Sequence, residues 1–503
     1  MSSTFSCYQI AKSGVYTSQR ALEVIGHNLS NADTVGYVRQ QMLQADNRPQ
    51  IYSGKQIGTG TSVSEIRQVR SAFLDNAYRK ENSLKGYWNA RQSTIEDVES
   101  ILDSLSENNG LGAAIDDFFQ GWEELAKDPE DRTSREAVVE YGNYFAEIVN
   151  EIAEQLDQLQ SNLDEQINSL VSEINSIADQ VAELNQIILV NENNGQNAND
   201  YRDQRNLLLD TLSGYMGIEV TEAENGMINV YAGGRSIVRG NNSCHMDCSY
   251  NTSNGSFATV VWENSGEEVR LKDGKLFGFI EARGDVYGGE GSVDNGSPIE
   301  SAVVDDDSDS YTFSSESMNF ISELRTGLNM LVSLMTRKIN SIHGQGKGLD
   351  GSNGLSFFAR IDENLPFEAG NIKVNPELSD PNKIAASRTG SAGDADIANE
   401  IVDFRNIDYF KNDSLKMNIN DFYNLLVDWV GTAGQEAASF FDNQSTLVLL
   451  ADNNRQSVSA VSMDEELANM IKYQHSYNAS ARVMTTIDSM MENIINSMGR
   501  AGR

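Results

Sequence analysis

The sequence predicts a mainly α, elongated, multi-domain chain in which paired terminal helices and a long helical rod domain flank a β-rich insert. Three observations predict it. Both ends carry apolar stripes at alternating steps of three and four. A central stretch keeps such a stripe for ~55 residues. After that stretch comes a Gly-, Ser- and Asn-rich region with strand-like alternation. At 503 residues the chain exceeds a single core, and only six prolines leave its helices uninterrupted.

The first helix is expected from about Thr4 to Leu29. Tyr8, Ala11, Val15, Ser18, Leu22, Ile25 and Leu29 fall on one seam, which needs a partner helix. Asn28 to Tyr37 is rich in residues that favour turns, and residues 38–70, with Gly54, Gly58 and Gly60, suggest an extended or hairpin segment. Helix returns over Ser71–Ser104, with Phe73, Ala77, Leu84, Trp88, Ile95, Val98 and Leu102 on one broad face, and breaks at Asn109-Gly110. A shorter helix, Ala113–Lys127, stops at Asp128-Pro129. From about Arg135 the longest pattern begins. Leu159, Leu163, Ile167, Leu170, Ile174, Ile177, Val181, Leu184 and Ile188 define a rod of roughly 80 Å, ended by Asn191–Gly195 and followed by a return helix, Asn199–Leu212.

The pattern changes near Gly217. Alternation around Asn225-Gly226 reads as a hairpin, and Phe257–Trp262 as a strand. Helix resumes from about Ser315 to His343, short strands and a Gly-rich loop cover 344–390, and two helices at about 418–450 and 455–499 close the chain. The last carries a second seam: Leu467, Met470, Gln474, Tyr477, Ala481, Met484, Asp488, Met491, Ile495 and Met498. The expected organisation is 1–37 paired with 460–503 as a terminal coiled coil, 38–216 and 315–459 as the two parts of the helical rod domain (the second with a small β segment at 344–390), and 217–314 as a β-rich outer insert. The chain goes out and returns, leaving its ends together.

The net charge of −36 is unevenly spread. Residues 1–70 hold seven Lys/Arg against four Asp/Glu, residues 455–503 hold five of each, and 71–454 therefore carry −39. Such acidity disfavours nucleic acid or an anionic membrane as partner. No run of about 18 apolar residues predicts a membrane span, and the amphipathic N-terminus does not read as a cleaved secretory signal.

Candidate chemistry is sparse. Cys244-His245-x-x-Cys248 is half a zinc site without a second pair, and Asp305–Asp309 lacks the Gly and distal Glu of an EF-hand loop. His27, His343 and His475 have no nucleophile in a catalytic context. Gly344-Gln-Gly346-Lys-Gly348 follows a helix where a phosphate loop would open one. Cys7 reads as packing, and three cysteines are too few for a disulfide scaffold. The expectation is a structural assembly subunit, not an enzyme, with no cofactor and no metal.

Asn28, Asn31, Thr34, Gly36 and Tyr37, followed by Arg39 and Gln40, resemble the N-terminal signature of bacterial flagellar rod, hook and hook-associated proteins. This chain departs from that signature at Ser30, Asp33 and Val35, which replace Ala, Asn and Pro. Asp464, Glu465 and Glu466, continued through Gln474 to Ala481, are similar to the shared C-terminal signature. Gln166-Ile-Asn168, Ala182–Asn185, Asn199-Asp200-x-x-Asp203-Gln204-Arg205, Asp273-Gly274-x-x-x-Gly278 and Asn340-x-x-His343 resemble the hook-associated protein 1 family, over nearly the whole chain. The resemblance implies a structural ring of copies joining hook to filament. It implies an extracellular, flagellar protein exported through the type III apparatus without a cleaved signal, and motility as the process served. The implied partners are further copies of itself, the hook protein, the second hook–filament junction protein and an export chaperone. The alternatives are another axial protein (second junction, hook or rod) or a secreted adhesin or hydrolase. The expected assembly interface is Tyr8, Ala11, Val15, Leu22, Ile25, Leu29, Leu467, Met470, Tyr477, Ala481, Met484, Met491 and Ile495. Those ends are expected to be loose until neighbouring copies surround them.

Overall fold

A computed structural model describes residues 2–52, 55–103, 110–193, 197–250, 257–284, 319–412 and 415–498. The terminal helix α1 (Ser2–Ser30) leads into a β-hairpin arm. In the arm, β1 (Gln40–Asp46) pairs antiparallel with β4 (Thr61–Gln68), and β2 (Gln50–Tyr52) pairs with β3 (Lys55–Ile57) further out. The helical body follows: α2 (Ala72–Asp103), α3 (Leu111–Lys127), α4 (Arg132–Glu192) and α5 (Asn199–Tyr215). A four-stranded antiparallel sheet comes next, in the order β5 (Glu219–Glu222), β6 (Ile228–Ala232), β7 (Arg235–Arg239), β8 (Asn242–Ser243), then the pair β9 (Met246–Tyr250) and β10 (Ala258–Trp262). The chain re-enters the body through α6 (Lys275–Arg283) and α7 (Phe320–His343). Two short strands, β11 (Phe358–Ala359) and β12 (Lys373–Val374), and α8 (Asp396–Phe404) lead to the hairpin of β13 (Phe410–Asn412) and β14 (Leu415–Met417). The long α9 (Ile419–Ser459) and α10 (Met463–Met498) finish it.

The axis of the body is α4. Its 61 residues span ~90 Å. Asp131 caps its N-terminus by accepting from the Ser134 amide at 2.9 Å. The stripe expected along it is the buried one: Ile167, Ile174, Val181 and Ile188 are fully inside, although Asn185 takes the buried place beside a half-buried Leu184. Asn185 is there to hold backbone. It donates to the carbonyls of Ile228 and Gly240 and accepts from the Ile228 amide and from buried Arg205, and so fastens the sheet to the helix. Asn175 does the same for Met246. The described part of the insert therefore lies along α4 and shares its core. At the other end of α4, Phe118, Phe119, Trp122, Phe145, Phe357 and Phe358 form a fully buried aromatic cluster between α3, α4 and the β11 region.

Several expectations need correction. Phe73 is 79% exposed and not on the buried face of α2. The break expected at 451–454 is absent, because α9 runs on to Ser459. There Arg455 pairs with Asp452 at 2.6 Å, bonds Asp210 of α5 and lies over the Tyr78 ring, so the Asn-rich stretch is held helical from outside. Helices α6 and α8 and the β13–β14 hairpin carried no periodic signal long enough to predict. Asp273-Gly274-x-x-x-Gly278 is the entry to α6, and both glycines are packing devices. Gly274 has φ +92°, and a Cβ there would stand 2.4 Å from the Met216 Cα; at Gly278 it would meet Ala90 and Tyr87 of α2 at 2.8 Å. Asn109, Asp305–Asp309 and Ser315 lie outside the described residues.

His343 is wholly buried at the end of α7. Its Nε2 accepts from the Ala385 amide at 2.9 Å, so the ring proton sits on Nδ1, facing the Leu355 carbonyl at 2.5 Å. Burial pushes its pKa down to about 4, with the nearby Arg135 guanidinium acting in the same direction. A histidine held neutral in the fold stabilises it above pH 6.5 and loses that contribution as pH falls toward 4. Thermal unfolding of the body should thus lose on the order of 3 kcal/mol from this residue between pH 7 and pH 4. His343→Phe should be less stable at pH 7 but have a shallower acid slope.

Candidate functional site

The two ends of the chain lie against each other. The helices α1 and α10 are antiparallel: Ser18 Oγ donates to Ser476 Oγ at 3.1 Å, a Cβ on Gly14 would be 2.7 Å from Ser480 Oγ, and Asn28 meets Glu466. Small residues set this approach. On α1 the buried residues include Ala11, Thr17, Ser18, Ala21, Val24, Ile25 and Asn28, and on α10, among the described side chains, only Glu466 and Ile487 are buried. The expectation that these ends are unformed outside an assembly does not match the single chain, where both are helical and paired. Small side chains let the backbones close up, and a polar clamp fixes their register.

The structure divides the residues expected on the seams. Ala11 and Ile25 are buried, whereas Tyr8, Val15, Leu22, Leu29, Met470, Ala481, Met484 and Met491 are half-buried. Leu467, Tyr477 and Ile495 are exposed, at 44%, 37% and 70%. Met463, Ile471, Val483, Met490 and Ile494 are exposed beside them. One partner helix thus covers only one strip of α10, and apolar edges remain on both sides of it.

The signature residues from both ends meet at the clamp. Asn28 is 1% exposed; its Oδ1 accepts from the Tyr37 hydroxyl (2.8 Å) and the Gln40 amide (2.9 Å), and its Nδ2 donates to the Gln40 carbonyl and to Glu466. Arg39 Nε donates to Glu466 at 2.9 Å, while its Nη1 and Nη2 reach Glu465 at 3.0 Å. Its own amide donates to the Ser459 carbonyl. Burial acts to lower the Arg39 pKa, but the two glutamates outweigh it and hold it above its usual value. Burial, with the charges of Asp203, Asp200 and Glu466 behind it, pushes the Tyr37 hydroxyl well up, so it stays a neutral donor. Asn31 and Thr34 shape the turn locally: Asn31 donates to the His27 carbonyl at 3.0 Å, and Thr34 donates to Asn31. Gly36 has φ +81°, and its α-carbon face lies on Leu207. Val35 is 80% exposed, and Asp464 and Gln474 point to solvent.

Sequence reasoning flagged Asp200 and Asp203 without a role for them. Asp203 accepts from the Val38 amide and Gln68, and Asp200 from Gln40, so the first turns of α5 hold the chain on both sides of the arm. Beside the clamp is a cleft of about 590 Å³ lined by Thr34, Gly36, Tyr78, Leu207, Arg455 and Val461 among others. Of the charges lining it, Arg70 pairs with Asp75, and Arg455 with Asp210 and Asp452.

The other candidates for chemistry resolve into structural roles. Ser243 Oγ and His245 Nε2 both bond the same Asp179 oxygen, at 2.5 and 2.8 Å, which is not the relay that activates a serine. Cys244 and Cys248 are free thiols, the latter pushed up to about 11 by burial, and among the described residues no three His, Cys, Asp or Glu side chains could hold a metal. No described helix is long and apolar enough to cross a membrane.

Comparison with known proteins gives matches along the chain. The family described as flagellar hook-associated protein FlgK helical domain matches residues 95–358, the flagella basal body rod protein family matches 9–37, and the basal body rod FlgEFG protein C-terminal family matches 453–498. Flagellar hook-associated protein 1 of Bacillus subtilis is 29% identical over the whole of both chains. Its namesake in Escherichia coli is 23% identical over 97% of this chain and 98% of that one. The solved flagellar hook junction protein FlgK of Burkholderia pseudomallei shares the fold, with a TM-score of 0.58 at 15% identity, covering 77% of this chain and all of that one.

Proposed function

This chain belongs to the flagellar hook-associated protein FlgK family, and from that premise we propose that it is the structural subunit that joins hook to filament, polymerising through its two terminal helices. The observation that carries the mechanism is the convergence of Asn28, Tyr37, Arg39 and Gln40 with Glu465 and Glu466. Signature residues more than 400 positions apart form one clamp, and the helices it joins keep apolar edges that one chain cannot cover. Those edges suit neighbouring copies in a ring, with the hook protein on one side and the second junction protein on the other. The near-neutral ends permit crowding, while the acidic body resists clumping. No catalytic step is required of any residue. Export by the type III apparatus with a dedicated chaperone, and residence outside the cell in the flagellum, belong to the same reading.

The test is deletion of residues 1–30. Cells producing the truncated chain should carry hooks without filaments and fail to swim, while the purified body keeps its thermal unfolding transition. Filaments on such cells would remove the terminal helix from the mechanism.

A further inference from the structure

The hairpin arm lies along α1, and an anchor at each end of the β1–β4 pairing fixes it there. At the base, Asn28 brackets Gln40: its Nδ2 donates to the Gln40 carbonyl and its Oδ1 accepts from the Gln40 amide, both at 2.9 Å. At the other end Asp46 faces Thr61, and the Thr61 amide donates to Ser13 Oγ at 3.2 Å. Ser13 Oγ donates in turn to the Ile10 carbonyl at 2.7 Å. Gly60 makes this approach possible. It has φ +98°, and a Cβ there would stand 2.1 Å from Ser13 Oγ and 3.3 Å from the Ile10 Cα. The spans match. The helix from Ser13 to Asn28 rises ~22 Å, and the strand from Gln40 to Asp46 covers ~20 Å.

The rotation of a helix, about 100° per residue, sorts the covered positions of α1 into two stripes. Ala11, Gly14, Ser18, Ala21 and Ile25 form the stripe toward α10, marked by the Ser18–Ser476 bond and by Gly14 against Ser480. Ser13, Thr17, Val24 and Asn28 form a second stripe about a quarter turn away. Thr17 and Val24, 3% and 8% exposed, sit between the two anchors, and both β1 and β4 pack on this helix. The half-buried seam of Tyr8, Val15, Leu22 and Leu29 lies on the side opposite the arm. One partner helix supports a single stripe. A second support a quarter turn away fixes the rotation as well. We propose that the arm is a splint, holding α1 helical between Ser13 and Asn28 and setting its rotation, so that the Tyr8–Leu29 seam is the face left for a neighbouring copy. The use of that seam rests on the assembly reading above, whereas the splint acts within one chain.

Hydrogen exchange on the full chain tests it. Ser13→Glu puts a long side chain where the strand must approach, while glutamate favours helix more than serine does. Amides of residues 14–28 should then exchange about tenfold faster, together with the Thr61 amide, while those in the middle of α4 keep their rate. Ser13→Ala removes only the acceptor and should change exchange by no more than about threefold. Unchanged or slower exchange over 14–28 in Ser13→Glu overturns the splint, because α1 then stands on α10 alone. The unmodified chain gives a second measurement that needs no variant. A Thr61 amide that exchanges more than about tenfold faster than residues 14–28 overturns the splint too, since the arm would open while the helix stays closed. Exchange of 14–28 at the unfolded rate does the same, since the arm would hold nothing. Normal filaments on Ser13→Glu cells, with 14–28 loosened in the purified chain, leave the splint standing and count against assembly through the terminal helices.

Discussion

Glu466→Ala is expected to release the terminal helix pair while leaving the body intact. Glu466 is 2% exposed and accepts from both Arg39 and Asn28. Its loss leaves Arg39, whose side chain is only 17% exposed, with Glu465 alone. Removing one partner of a buried, hydrogen-bonded ion pair costs about 3–5 kcal/mol, whereas an exposed pair is worth at most about 1 kcal/mol. Glu465 has a 56% exposed side chain, so Glu465→Ala should cost little by comparison. The pair is also held by Ile487, buried on α10, and by the contact of Ser18 with Ser476. A loss of about 3 kcal/mol there corresponds to roughly a hundredfold fall in amide protection. Exchange in peptides spanning 2–30 and 463–498 should therefore rise about a hundredfold in Glu466→Ala and less than tenfold in Glu465→Ala, with the main thermal transition unmoved in both. Equal behaviour of the two variants would mean that the clamp does not hold the ends.

What could be read from the sequence follows the range of the signal. The stripe of α4 repeats over many turns of one uninterrupted helix, so its face was plain and the structure buries most of it. The hairpin at Asn225-Gly226 was readable for a local reason: Gly226 has φ +77° in the connection between β5 and β6. The terminal helices were readable as helices, but the strip each presents to the other was not. A strict 3–4 repeat ran through Leu22, Leu29, Leu467 and Gln474, while the observed contact runs through Ala21, Asn28, Glu466 and Ser476, because small and polar residues decide how closely two helices approach. The clamp itself depends on partners up to 438 positions apart. No periodicity encodes such a pairing, and only family resemblance marked those residues in advance. The nine-residue helices α6 and α8 are too short to show a period, and tertiary contacts make them.

The apolar edges of α10 separate assembly from folding. Leu467, Ile471 and Ile495 are exposed by 44%, 57% and 70%, so in the single chain Asp at these positions removes few contacts and should shift stability by no more than about 0.5 kcal/mol. In an assembly each would pass into an interface worth roughly 1.5–3 kcal/mol per large apolar side chain. An aspartate there forfeits that gain and adds the cost of burying a charge. The combined Leu467→Asp and Ile471→Asp chain should then unfold at the unmodified temperature and yet leave hooks bare and cells immotile. Ile487→Asp behaves differently, because Ile487 is 6% exposed against α1. That substitution should loosen the terminal pair within the single chain, visible as faster exchange over 463–498 before any neighbour is involved. The two variants share an immotile phenotype but part on the isolated molecule. Normal swimming by the Leu467→Asp, Ile471→Asp cells would show that this edge faces solvent in the assembled structure too, and the docking surface would have to be sought on the opposite edge, at Val483, Met490 and Ile494.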